Sequence, residues 1–172
     1  MNKLASFIVL MALSFSSLAS ATIEGTVTRV LDGDTVEVKT LPSNVLVTEA
    51  PIRVRLNGID APEKKQPYGQ RSRQYLASLV GGKQITVAVD GQDRYHRTLG
   101  DVFVRQCKPE CETVNVNAAM VTAGMAWAYR YHNVAVTPEM SALEATARSE
   151  KKGLWHDTLP IEPWKWREEH KE

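Results

Sequence analysis

The sequence is poor in the residues that would settle its chemistry at a glance. It has two cysteines and four histidines in 172 residues, and these do not cluster as a zinc site requires. Lys+Arg 21 against Asp+Glu 20 leaves a net charge of +1, so the basic excess of a protein that holds nucleic acid by charge alone is missing. Any such binding has to come from local basic clusters and a metal. No EF-hand loop is present, no internal repeat or low-complexity tract points to a solenoid or a linker, and no cysteine precedes Cys107, which excludes a lipid-modified N-terminal cysteine.

The one long apolar run lies at the N-terminus. Lys3 is followed by apolar residues with scattered serines from Leu4 to Leu18, and Ala19-Ser20-Ala21 offers small residues for cleavage before Thr22. The run is shorter than the roughly 20 apolar residues that a membrane span needs. It therefore predicts a signal peptide over residues 1–21, an exported protein, periplasmic or extracellular, and no stable membrane anchor. Lys3 is the only charged residue of this leader, so the mature chain is expected to be neutral. A single domain over 22–156 and a C-terminal tail over 157–172 follow, and the expected state is a monomer.

From Thr22 the pattern is that of β-structure. Ile23, Val27 and Val30 mark a strand that meets the turn Asp32-Gly33-Asp34, after which Thr35 to Lys39 alternates with a period of two. Val45 to Val47 is a candidate edge segment. In Ile52-Arg53-Val54-Arg55-Leu56 the apolar residues take one face and the two arginines the other. Gly69 to Val80 reads as a helix, Gln84 to Asp90 and Thr98 to Val104 as strands, and Val116 to Ala123 as a short helix. Thr137-Pro138-Glu139 opens a last helix that Gly153 is expected to close. Its inward stripe would be Met140, Leu143 and Ala147. The tail is expected to wrap the domain through Trp155 and Trp164 and then fray.

The residues with chemical potential gather around Ile59-Asp60-Ala61-Pro62-Glu63, where a strand gives way to rigid backbone. If the first and third strands pair or neighbour, Asp34 and Asp60 can converge on one cation, and oxygen-only ligation selects a hard metal such as calcium. Read singly, Asp32 and Asp34 are turn formers and Asp60 a cap before Pro62. Read together, they leave Glu63 to serve as a general base. Arg55 and Arg97 then serve as phosphate clamps, because a guanidinium presents a charged fork and cannot take a proton. A general base contributes ~10² to 10⁴ in rate, so phosphodiester hydrolysis would need the metal and the arginines as well. Arg94, Tyr95, Tyr129 and Tyr131 fit a nucleotide-binding rim, since aromatic rings stack on any base. Each of them is also an ordinary surface residue. His96 and His132 lie nearby, but Glu63 already fills the proton-accepting role.

Taken in order, Asp32-Gly33-Asp34-Thr35, Arg55-Leu56, Ile59 to Glu63, Asp93-Arg94-Tyr95-His96-Arg97, and Tyr129 with Tyr131 resemble the staphylococcal nuclease family, from about Ile23 to Trp155. The resemblance implies a mainly β, α+β fold, an OB-fold barrel of five strands with three helices. It also implies a calcium-dependent endonuclease that cuts DNA and RNA by in-line attack of water, leaving 3′-phosphates. It assigns calcium to Asp34, Asp60 and the carbonyl of Ala61, with Thr35 beside the metal's water shell. Glu63 is implied as base and Arg55 and Arg97 as transition-state contacts. Arg94 and Tyr95 would lie at the terminal phosphate, with Tyr129 and Tyr131 around the base. The chain departs from the family at Ala61, where threonine is frequent, at Arg94 in place of lysine, and at His96 in place of glycine. The loop after Glu63 is shorter, and the tyrosine pair comes one residue sooner after its glycine. The alternative on the same barrel is a catalytically silent oligonucleotide-binding module, which predicts eroded carboxylates and arginines; here they are intact. An oligosaccharide- or peptide-binding barrel would need neither calcium nor a phosphate clamp.

Cys107-Lys108-Pro109-Glu110-Cys111 falls outside that resemblance. In an exported protein a disulfide across this turn is expected, worth only ~2 kcal/mol for so short a loop.

Overall fold

The computed structural model describes residues 21–40, 50–107 and 109–170. Residues 1–20 of the expected signal peptide and the edge segment expected at Val45 to Val47 lie outside the described residues.

Strand β1 (Thr22–Val30) turns at Asp32-Gly33-Asp34 into β2 (Thr35–Thr40), and β3 (Ile52–Leu56) follows. A two-residue strand, β4 (Ile59–Asp60), leads through the Pro62 loop to helix α1 (Gly69–Val80). Next come β5 (Gln84–Gln92), β6 (Thr98–Cys107), β7 (Cys111–Asn115) and helix α2 (Val116–Thr122). Three two-residue strands, β8 (Trp127–Ala128), β9 (Arg130–Tyr131) and β10 (Val134–Ala135), precede helix α3 (Pro138–Ser149). The chain ends in a 3-10 turn, Gly153–His156, and helix α4 (Pro163–Glu169).

The sheet runs β3-β2-β1-β5-β6-β7 and is closed by a further pairing of β3 with β6. That closing pair is parallel, Val54 opposite Thr98 and Leu56 opposite Gly100, while the other neighbours are antiparallel. Five strands thus form the barrel, and β7 lies outside it against β6. Closure removes the unpaired edge that a five-stranded open sheet would expose. Period-two patterning fills the barrel: Val36, Val38, Val54, Val87, Val102 and Val104 point inward, each at most 1% exposed. Leu76 and Val80 of α1 and Met120 of α2 cap the same core.

A second, smaller cluster holds the C-terminal half together. Trp127, Ala147, Leu154 and Trp155 pack as one group, with Tyr68 and Trp164 against it. Trp155 and Trp164 both meet Trp127 edge to face, with centroids at 4.4 Å and 5.5 Å, a favoured arrangement of ring quadrupoles.

Three expectations need correction. Among the described residues there are four α-helices, because the tail that was expected to fray forms α4. Pro163 stands in its first turn, where no N–H is needed, and Trp164 supplies an apolar anchor. Helix α3 ends at Ser149 with Glu150 as its cap, and Gly153 instead opens the 3-10 turn at φ +53°. A side chain on Gly153 would meet the Gly124 carbonyl at 2.2 Å. Finally, β1 and β3 do not pair, since β2 lies between them. Among the described residues no helix is long and apolar enough to cross a membrane.

Candidate active site

Asp34 is the last residue of the β1–β2 turn. Its backbone N–H donates to Asp32 Oδ1 at 3.1 Å, and its carbonyl accepts from Leu56 N–H at 2.8 Å, joining the turn to the end of β3. Thr35 Oγ1 donates to Asp34 Oδ1 at 2.9 Å, and Ala61 N–H donates to Oδ2 at 2.9 Å. The turn sits tightly against α1, because a side chain on Gly33 would meet Ser72 Oγ at 2.0 Å. The Asp34 carboxylate is therefore fixed by the Thr35 hydroxyl and the Ala61 N–H.

Asp60 reaches the same point by another route. Thr35 pairs with Arg55 across β2 and β3, and four residues after Arg55 the chain enters β4, which pairs with β8, Asp60 opposite Trp127. Arg55 bridges the two carboxylates: Nη1 lies on Asp34 Oδ1, and Nη2 donates to Asp60 Oδ1 at 3.1 Å. One guanidinium thus spans both, so Asp34 and Asp60 do converge, through β2 rather than through a β1–β3 pair. Arg55 is 16% exposed while its strand neighbour Arg53 is 64% exposed and pairs with Glu37.

Electrostatics divide the carboxylates. Burial works against the charge of Asp34, but Arg55 and the Ala61 N–H outweigh it and hold the carboxyl below its ordinary value. Burial pushes Asp60 upward, with Arg167 and Arg55 opposing and Asp34 adding to the rise. Burial and the neighbouring Asp34 raise Asp32 to about 6. Burial alone would lower Arg55, yet Asp34 and Asp60 hold it above its already high value.

Glu63 follows the rigid Ala61-Pro62 pair in a tight turn. Its N–H donates to Gln66 Oε1 at 3.0 Å and its carbonyl accepts from Gln66 N–H at 2.9 Å. Gly69 is required here, since a side chain on it would lie 1.9 Å from the Glu63 carbonyl oxygen. The Glu63 side chain is 40% exposed and looks into a cleft of about 860 Å³ that also contains Asp34, Arg55, Arg94, Tyr95, Arg97 and Tyr129.

The rim residues separate into two groups. Arg97 gives Nε and Nη2 to Asp93 Oδ2, both at 2.7 Å, and Asp93 also accepts from the N–H groups of Tyr95 and Arg97. This turn presents the Tyr95 ring to solvent with Arg94 stacked at 4.9 Å. His96 occupies it at φ +61°, a left-handed geometry that accounts for glycine being preferred at such a position. Tyr129 is held over the cleft by its N–H on the Gly58 carbonyl at 2.9 Å. Tyr131 is 65% exposed on the β9–β10 hairpin and does not line the cleft. Away from the cleft, Cys107 and Cys111 face each other across β6 and β7 and are joined by a disulfide.

Residues 53–157 match the family model described as "Staphylococcal nuclease homologue". The chain belongs to the staphylococcal nuclease family. It is 48% identical to "Protein ParB" of Escherichia coli over 93% of this chain and 88% of that one. It is also 46% identical to "Micrococcal nuclease" of Shigella flexneri over 87% of this chain and 83% of that one. An "Uncharacterized endonuclease" of Escherichia coli O157:H7 is 45% identical over 86% of each chain. The protein is accordingly an endonuclease, a hydrolase of phosphodiester bonds in nucleic acid, on an OB-fold barrel.

The nuclease carries one cleft residue that its sequence pattern did not reveal. Arg167 of α4 donates through Nη1 and Nη2 to both oxygens of Asp60, at 3.2 Å and 2.7 Å, and through Nη1 to Glu63 Oε1 at 2.8 Å. The available signal was Pro163 ahead of Trp-Lys-Trp-Arg, a helix start with an arginine in its last turn. Nothing in that signal says where the helix docks.

The donor set suits a hard cation. Among the described residues no three His, Cys, Asp or Glu side chains converge on one point, so side chains alone do not complete a metal's coordination here. Asp34 and Asp60, two nearly buried carboxylates joined by one guanidinium, are oxygen donors of the kind a hard cation takes, and a cation held there would need further oxygens from backbone and water.

Proposed function

We propose that this nuclease is calcium-dependent, cuts both DNA and RNA, and leaves 3′-phosphate products. The observation that carries the reading is the single guanidinium of Arg55 joined to Asp34 and Asp60, with Glu63 in the same cleft. Asp34, Asp60 and the Ala61 carbonyl would hold calcium, with Thr35 beside its water shell. When bound there, the ion supplies charge neutralisation at a phosphate oxygen and lowers the cost of ionising water. Glu63 accepts the proton of the attacking water. Its partial exposure leaves room for both the water and the phosphate.

Arg55 and Arg97 bind phosphoryl oxygens and stabilise the charge that develops on them in the transition state. Asp93 orients Arg97 by engaging Nε and Nη2. Arg94 and Tyr95 take the terminal phosphate, and Tyr129 stacks on the base. Tyr131, further out on its hairpin, extends that stacking surface beyond the cleft. With mature charge near neutral, affinity rests on these local contacts, and its salt dependence should be shallow. Export to the periplasm or medium is supported by the apolar stretch from Leu4 to Leu18 and by the disulfide. A monomer is the proposed working unit.

The test is cleavage of single-stranded DNA and of RNA by residues 22–172, in calcium and then in chelator, with product ends mapped. Calcium-dependent cutting to 3′-phosphate ends supports the reading. Undiminished cutting in chelator would remove the metal role, and oligonucleotide binding without cutting in any divalent metal would leave a binding module.

A further inference from the structure

Asp60 is already occupied. A carboxylate offers about four lone-pair sites, and Asp60 accepts from Arg55 Nη2, Arg167 Nη1 and Arg167 Nη2. A cation seeking this oxygen pair meets two guanidinium groups, and they differ in how firmly they are held. Arg55 is 16% exposed and is also tied to Asp34 and the Ile59 carbonyl. Arg167 is 43% exposed and lies on a seven-residue helix, and among the described residues its hydrogen bonds and ion pairs go to the two carboxylates it bridges. At that exposure the guanidinium can be hydrated once a metal takes over Asp60, whereas Arg55 has no such access to water.

The helix that carries Arg167 does not dangle. Gln66, whose Oε1 accepts from Glu63 N–H, donates its own amide to the Ile161 carbonyl at 2.7 Å. Pro163 is buried, and Trp164 packs on Trp127, the residue opposite Asp60 in the β4–β8 pair. Both anchors of α4 thus rest on the segments that position Glu63 and Asp60. The guanidinium is delivered to this point by a docked element.

We propose that Arg167 is a further residue of the active site, a resident cation that a divalent metal must displace from Asp60 and Glu63 before the nuclease can turn over. In the metal-free state it compensates the buried charge of Asp60 and occupies a lone pair of the base, so the enzyme is both stabilised and silenced. Metal entry frees Glu63 to accept a proton and releases Arg167 to the cleft edge beside Lys64, Lys65 and His170, which line the adjoining groove. The proposal rests on calcium binding at Asp34 and Asp60 as set out above.

The experiment is a calorimetric calcium titration of the metal-free chain without nucleic acid, for wild type, Arg167→Gln, Arg167→Lys and Lys165→Gln. Lys165 pairs with Glu162, the residue that caps the same helix, outside the cleft. Removing charge-assisted hydrogen bonds that compete with the metal should tighten calcium binding about tenfold or more in Arg167→Gln. Arg167→Lys keeps the charge but loses the fork, and should tighten binding several-fold. Lys165→Gln should bind as wild type does. Melting supplies a second readout: Arg167→Gln should melt below wild type in chelator, and the gap should shrink in saturating calcium. Wild-type affinity in both Arg167 variants, equal tightening in Lys165→Gln, or a melting gap of the same size with and without calcium would overturn the role of Arg167 while leaving the calcium site standing. If folded wild type and variants all fail to bind calcium, the metal reading fails, and this inference with it.

Discussion

The backbone N–H of Ala61 donates to Oδ2 of Asp34 at 2.9 Å, across 27 residues of sequence. It ties the first turn of the barrel to the loop that carries the base, and it does so without using the Ala61 side chain. That is why alanine is tolerated where the family often has threonine. The donor that positions Asp34 belongs to the main chain, and so does the carbonyl expected to serve the metal.

Asp34→Asn should abolish calcium stabilisation. At calcium a hundredfold above Kd, binding adds about 2.7 kcal/mol to wild type, which for a domain of this size raises Tm by roughly 5–10 °C. Thermal melts with and without calcium check this. A calcium shift of wild-type size in a folded variant would remove Asp34 from the metal site.

Glu63→Gln should keep oligonucleotide affinity and lose about 10²- to 10⁴-fold in turnover, the range of a general base. Its N–H and carbonyl bonds to Gln66 involve only the main chain at position 63, so the loop should stay in place. Single-turnover cleavage beside a binding titration separates the two quantities. Unchanged turnover would assign the proton to another group.

Arg55→Lys should be severe although the charge is kept. The guanidinium reaches Asp34 with one nitrogen and Asp60 with the other, and an ammonium cannot hold that planar fork. A loss of about 10²-fold or more in turnover is expected, as for removal of a transition-state donor, together with a lower Tm. Wild-type rates would sink the clamp assignment.

Stability in acid should depend on Glu144, a residue outside the expected inward stripe of α3. Burial opposes its charge, but Arg130, the Ala128 N–H and Arg148 together hold its carboxyl below the ordinary value. A depressed folded pKa means that the stabilisation is fully present above the unfolded value of about 4.3. It is lost as pH falls below that value and through the folded one. Melting between pH 6 and pH 3 should therefore show a steeper decline in wild type than in Glu144→Gln. Parallel curves would exclude this carboxylate as a source of acid sensitivity.

Gly69→Ala should disturb the base rather than the barrel. Its methyl group would meet the Glu63 carbonyl oxygen at 1.9 Å, so the Glu63 turn must open or α1 must shift. Turnover should fall about tenfold or more with the circular dichroism spectrum retained. Full activity would show that this turn has more room than its geometry indicates.

Local order carried most of the fold and the first half of the site. Period-two alternation marked β2 and β3, and Gly81-Gly82, directly after Val80, bounds α1. Asp32-Gly33-Asp34 and Asp60-Ala61-Pro62-Glu63 were legible because a turn, a proline and an acid at fixed spacing constrain the backbone by themselves. The sequence by itself thus determined the five barrel strands, the first three helices, and Asp34, Asp60, Glu63, Arg55, Arg94 and Arg97. Only the tertiary structure decided how they meet. Closure of β3 on β6 and the intervening β2 bring Asp34 to Asp60, and these are long-range pairings that no window of sequence contains. The docking of α4 was hidden for the same reason. Arg167 meets Asp60 across 107 residues, held by Trp164 on Trp127 and Gln66 on Ile161. Apolar burial fixes where such a helix lands, and burial belongs to the assembled surface, not to the segment that covers it.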